Sequence, residues 1–227
     1  MVTTVVFDLD DTLYDEVDYC KSGFGAVAAV ISGHPNFPDR HKLYDAFWQQ
    51  FSAGNHTTTF NDALKELNIS YDDQLIRKMV TIYRRHHPTI SLPAETKNVL
   101  DLLRKKYTLA LLTDGFLPAQ ELKVRALGLE EYFECIVYTE QLGREFWKPS
   151  PAGFEKITRS LRQNPENCVY VADNEQKDFI GPNKLGFHTV ELIRPNRIHT
   201  QPAAKPEAKA GHVIHSLRQL PVLLAKF

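Results

Sequence analysis

The chain has 227 residues at 26.0 kDa, the length of one medium domain or of a domain carrying an insert, and enough to build a core without disulfides or a structural metal. Hydrophobic residues make up 43% and charged residues 24%, which excludes wholesale disorder. With 27 basic and 28 acidic side chains the net charge is −1, so no field steers nucleic acid or an anionic membrane, and function must come from a local site.

Residues 1–4 lead directly towards an apolar run, with no basic stretch or cleavage site, and no run approaches the ~20 apolar residues of a membrane span. A cytoplasmic protein without membrane partners is the expectation. Residues 2–7 form a mostly apolar run, rich in β-branched side chains, without alternation and too short for a helix, which reads as a strand buried on both faces and ending at Asp8. Four amphipathic stretches follow, at 17–31, 40–51, 59–67 and 72–85, with no convincing strand among them. Residues 88–93, bounded by two prolines, read as a return hinge.

From there strands and helices alternate. Residues 95–106 form a helical pattern with Val99, Leu100, Leu102 and Leu103 on one stripe, and 107–112 form a strand ending at Thr113-Asp114-Gly115. A helix at 118–127 stops at Gly128. A short strand at 135–138, a helix at 151–161, and strands at 168–172 and 189–193 complete the series. Residues 201–211 read as a mobile loop, and the segment from Val213 as a last strand or turn with a packing helix. The fold class is therefore α/β, a Rossmann-like parallel sheet with helices on both faces. Residues 1–14 and 88–227 form its core, and an all-helical domain is inserted at 15–87. Cys20, Cys135 and Cys168 are odd in number and widely spaced, as suits reduced thiols rather than disulfides or a zinc site.

The strand ends carry the chemistry. Asp8 and Asp10 follow the first strand, Thr113-Asp114-Gly115 the second, Lys148 lies past the third, and Asp173-Asn174 with Asp178 follow the fourth. In open parallel sheets ligands bind outside the carboxyl ends of the strands, so these groups should share one crevice. Carboxylates brought together there repel unless a cation or lysine joins them, and hard oxygen donors suit Mg2+. Such a pocket, with a lysine and backbone amides at a turn, suits phosphate. Among competing patterns, Gly23-x-Gly25-x-x-Ala28 has no strand before it and reads as close helix packing rather than a dinucleotide fingerprint. His86-His87 reads as a helix end, and Phe47 and Trp48 as core of the insert.

Taken in order, Asp8-x-Asp10-x-Thr12, Leu111-Leu112-Thr113-Asp114-Gly115, Trp147-Lys148-Pro149 and Tyr170-Val171-Ala172-Asp173-Asn174-x-x-x-Asp178 resemble the four motifs of the haloacid dehalogenase superfamily, with a helical cap inserted after the first. The resemblance implies Asp8 as nucleophile, Asp10 as general acid/base and Lys148 as the cation beside them. It implies Mg2+ held by the carboxylates of Asp8 and Asp173 and the main-chain carbonyl of Asp10. Thr113, Asp114, Gly115 and Asn174 would meet the substrate phosphate, and Asp178 would act from behind. Two positions depart from the pattern: Asp114 stands where Asn is usual and Ala172 where Gly is usual. The implied activity is a Mg2+-dependent phosphatase of a small phosphorylated metabolite acting as monomer or homodimer. Phosphomutase, pyrophosphatase and a weakly active binding or regulatory member are the alternatives.

Overall fold

The structure, a computed structural model, describes residues 1–203 and 205–227. The chain divides into two compact units, Met1–Val17 with Ser91–Phe227, and Asp18–Ile90. The first unit is built on six parallel strands: β1 (Thr4–Phe7), β2 (Thr108–Thr113), β3 (Cys135–Tyr138), β4 (Cys168–Ala172), β5 (His188–Leu192) and β6 (His212–Ile214). Their order is β3-β2-β1-β4-β5-β6. Every residue of β1 and β4 is buried, as a mostly apolar run without alternation requires of a strand covered on both faces.

Helices lie on both sides of this sheet. Alternate strand residues face opposite ways, so Val6, Ala110, Leu112 and Tyr170 share one face, where they meet Phe154 and Ile157 of α7 (Ala152–Leu161). The Phe154 ring stands edge-on to Tyr170 at 4.8 Å. Phe7, one residue on from Val6, turns to the other face and packs against Phe133.

In α5 (Ala94–Leu103) the buried residues include Val99, Leu100 and Leu103, whereas Leu102 is 52% exposed. The expected stripe was too broad, because a step of about 100° per residue carries Leu102 off that face. Helix α8 (Ile180–Leu185) was not foreseen; six residues around Pro182 offer no periodicity to read. Of the loop read at 201–211, Ala204 lies outside the described residues. The rest is anchored rather than loose: Asn183 Nδ2 donates to the carbonyls of Glu207 and Lys209, at 3.0 and 2.8 Å, and Ala208 is buried. The segment after it is strand, and α9 (Leu220–Leu224) follows.

The second unit holds α1 (Glu16–Ile31) from Asp18 onward, then α2 (Arg40–Ser52), α3 (Thr59–Glu66) and α4 (Asp73–Arg85); it has no strand among the described residues. Its centre is aromatic, with Phe24 edge-on to Phe51 and Phe60 at 5.5 and 6.0 Å. Gly23 is the close-packing position: a Cβ there would lie 2.5 Å from the Tyr83 ring. His86 ends α4, its Nδ1 bonded to the Tyr83 carbonyl at 2.6 Å. All three cysteines are free, and no described helix is long and apolar enough to cross a membrane.

Candidate active site

The strand order reverses between β1 and β4, the place where open sheets leave a crevice. Asp8 and Asp173 emerge there on neighbouring strands, and the Asp8 amide donates to the Val171 carbonyl at 2.9 Å. Buried Lys148 lies between acids, its Nζ 2.7 Å from Asp8 Oδ1 and 2.7 Å from Asp178 Oδ1, and it donates to Tyr170 Oη at 3.1 Å. Asp178 Oδ2 accepts from the Asn174 amide at 3.0 Å. Both oxygens of Asp178 are thus engaged.

Asp8, Asp173 and Asp178 each place a carboxylate oxygen within 4.8 Å of the others, three buried acids to one lysine. Burial, reinforced by Asp178, pushes Asp8 up to about 7 even with Lys148 beside it. Burial with Asp178 and Asp8 pushes Asp173 up to about 9. Asp173 Oδ2 is buried without a hydrogen-bond partner. An orphaned anionic oxygen among like charges is the donor set a hard divalent cation fits. Lys148→Met should therefore lower the stability of metal-free protein by about 3–5 kcal/mol, because it leaves a buried carboxylate pair uncompensated. Urea unfolding in chelator at neutral pH measures this, and a loss below about 1 kcal/mol would contradict it.

Asp10 faces elsewhere. Its carboxylate accepts from Lys123 Nζ at 2.8 and 2.9 Å, from Tyr14 Oη at 2.6 Å and from Gln120 Nε2 at 2.8 Å. Burial alone would raise its pKa, but the Lys123 charge and these hydrogen bonds hold it below the usual value. With these partners its carboxylate stands apart from the Asp8–Asp173–Asp178 cluster. Glu16, 3.6 Å from Lys123, is pushed up to about 8 by desolvation and the nearby Asp10 charge.

At the end of β2, Thr113 is buried and its Oγ1 accepts from Gln120 Nε2 at 2.6 Å. Gly115 has φ +138°, and a Cβ on it would lie 2.8 Å from Gln120 Cδ. Asp114 departs from its expected part. Its carboxylate accepts from Thr139 Oγ1 at 2.8 Å and from the Lys148 amide at 3.2 Å, and lies 3.4 Å from Lys177 Nζ. Although burial works the other way, the Lys148 and Lys177 charges hold it ionised. An ionised carboxylate accepts only, so it is no ligand for phosphate oxygens; it anchors the segment carrying Lys148. Asn174 Oδ1 accepts from the Gln176 amide at 3.0 Å, leaving its side-chain NH2 as donor.

Asp8, Asp10, Asp114, Gly115, Asp173 and Asn174 line one cavity of about 130 Å³. Thr113, Lys148 and Asp178 stand buried behind it. Sequence reasoning did not assign Asp11, Glu16, Trp147, Lys177 or His199 to the cavity they line, nor Tyr14, Gln120 and Lys123 to Asp10. For two of them a signal existed: in α6 (Ala119–Ala126) Gln120 and Lys123 are buried beside Ala119 and Val124, polar side chains on a core-facing stripe.

A family model described as haloacid dehalogenase-like hydrolase matches residues 2–186. The chain is 28% identical over 202 residues to the glyceraldehyde 3-phosphate phosphatase of Methanopyrus kandleri, covering 86% of this chain and 85% of that protein. It is 25% identical over 239 residues to the human N-acylneuraminate-9-phosphatase, covering 98% and 94%. Among solved structures, the putative hydrolase YfnB of Bacillus subtilis, crystallised with magnesium, superposes with a TM-score of 0.69 at 22% identity over 98% of both chains.

Proposed function

Because this chain belongs to the haloacid dehalogenase-like hydrolases, we propose that it is a Mg2+-dependent phosphatase of a small soluble phosphomonoester, working through a phosphoenzyme on Asp8. The observation that carries this reading is Asp10. A second carboxylate stands two residues beyond Asp8 and is held by Lys123, Tyr14 and Gln120 rather than joined to the Asp8–Asp173–Asp178 cluster. Displacing halide from carbon calls for no proton on the leaving group, whereas expelling an alkoxide from phosphorus does.

In this scheme Asp8 attacks phosphorus and becomes the aspartyl-phosphate. Lys148 fixes the attacking carboxylate and offsets its charge. The Thr113 hydroxyl, the Gly115 amide and the Asn174 side chain meet phosphate oxygens. Asp10 protonates the departing oxygen; the incoming dianion raises its affinity for that proton, and once it has given the proton up, Lys123 keeps it ionised as the base that takes a proton from water. The carboxylates of Asp8 and Asp173 and the Asp10 carbonyl would hold Mg2+, which when bound would supply positive charge to offset that on the transferring group. The named phosphatase relatives support the substrate class. A phosphate-release screen over a metabolite panel with Mg2+ tests it, and silence on every ester would end it.

Metal binding has a readout apart from turnover. Folded Asp8 at about 7 and Asp173 at about 9 lie above their ordinary value of 3.8, so the folded chain binds more protons than the unfolded one across that window. Metal-free stability should therefore fall as pH rises from about 4 to about 9. Mg2+ should reverse the trend at its alkaline end, adding about 2.7 kcal/mol at one hundred times its Kd. Thermal melts at pH 6 and pH 9, with Mg2+ and with chelator, measure both. Equal stabilisation by Mg2+ at the two pH values would contradict a site made of these acids.

A further inference from the structure

Gln120 is 2% exposed, and its Nε2 lies 2.8 Å from Asp10 Oδ2, 2.6 Å from Thr113 Oγ1 and 2.8 Å from the Asp114 carbonyl. The carboxylate of Asp10 only accepts, so it is the NH2 side of the amide that faces it. Two hydrogens serve these acceptors, and the two side chains among them are the ones that would touch substrate. Thr113 gains a direction from this. Its hydroxyl has one hydrogen; with a lone pair occupied by Gln120, that hydrogen is free to point across the pocket. Its other neighbour, the Asp114 carbonyl, is a weak acceptor at 3.4 Å. Gly115 completes the arrangement, since the Gln120 side chain occupies the space a Cβ would take.

We propose that Gln120 is the positioning residue of this site, setting at once the direction of the Asp10 carboxylate towards the leaving group and that of the Thr113 hydroxyl hydrogen towards a phosphate oxygen. Lys123, one turn along α6, supplies the charge opposite Asp10, and Gln120 supplies the geometry. The inference rests on the phosphatase reading for Asp10 but not for Thr113, which needs only that the pocket binds phosphate.

Gln120→Met keeps the length of the side chain and removes its donors, while Asp10 retains Lys123 and Tyr14. Two measurements separate positioning from packing. In turnover with Mg2+, kcat on an alkyl phosphate should fall about 100-fold and on p-nitrophenyl phosphate about tenfold or less, because only the alkyl ester depends on the proton from Asp10. By calorimetry, affinity for inorganic phosphate should fall about tenfold, the worth of one directed hydrogen bond. Equal losses on both esters would overturn the part concerning Asp10, and unchanged phosphate affinity the part concerning Thr113. A wild-type protein that turns over no ester would sink the phosphatase reading by itself, and the phosphate titration would still decide the assignment for Thr113. If Gln120→Met does not fold, Gln120→Asn, which withdraws the donor by one methylene, gives the same two readouts.

Discussion

Asp8→Asn is expected to abolish phosphate release from every ester, a loss of more than about 10⁴-fold, without loss of stability. The carboxamide occupies the same volume and can still accept from Lys148, which lies 2.7 Å from Asp8 Oδ1 and keeps Asp178 as its second partner. It removes one negative charge from a cluster in which burial and repulsion already lift Asp8 to about 7, so the metal-free variant should be as stable as the parent or more so. What disappears is the proposed oxygen nucleophile. During turnover of a radiolabelled ester, a denaturing quench should leave label on the peptide containing Asp8 in the parent and none in the variant. A parent that releases phosphate with no labelled peptide at any time point would indicate direct attack by water and remove Asp8 from its assigned part.

Asp10→Asn should differ in kind. The variant keeps an oxygen that can accept from Lys123 and Tyr14, although its amide nitrogen meets the Gln120 NH2 donor to donor, and it keeps the Asp10 main-chain carbonyl, so substrate and metal should still bind. It loses proton transfer, worth about 10²–10⁴-fold. The loss falls hardest where the departing oxygen is a basic alkoxide. An alkyl or sugar phosphate should therefore stall at the first step, while p-nitrophenyl phosphate, whose leaving group departs as an anion, should pass it. Water must then attack the phosphoenzyme without a base, so stopped-flow traces should show a burst of nitrophenol followed by slow turnover. Equal first-step losses on both esters, with no burst, would mean that Asp10 acts only through its main-chain carbonyl.

The parts of this molecule that announce themselves in sequence are those governed by local pattern. β1 and β4 are mostly apolar, without alternation, because both faces are covered, and α1 to α4 repeat with helical spacing; both patterns survive tertiary packing. Asp8, Asp10, Lys148 and Asp173 are legible because strand ends bring distant motifs to one edge. Their supports are not. Gln120 and Lys123 lie on a helix that reads as an ordinary amphipathic segment, and what they contact, Asp10, is more than a hundred residues away. The contacts of Asp114 are hidden for a related reason. Its position beside the phosphate turn was evident, but its partners, Thr139 and the Lys148 amide, come from the segment after β3, and no spacing rule says which way one side chain turns.

The placement of β1 bears on how the molecule comes into being. This four-residue strand has no neighbour close in sequence: Thr4 pairs with Thr108 on one side and with Cys168 on the other. Each pairing closes a very long loop before it gains a contact, a cost that makes such topologies slow to form. Asp8 precedes Lys148 by 140 residues, and it can meet Lys148 and Asp173 only after β4 has been made and docked. If that cluster is the proposed Mg2+ site, helical circular dichroism should recover well before Mg2+ binding during refolding from denaturant, leaving an interval in which the chain has most of its helices and no assembled acid cluster.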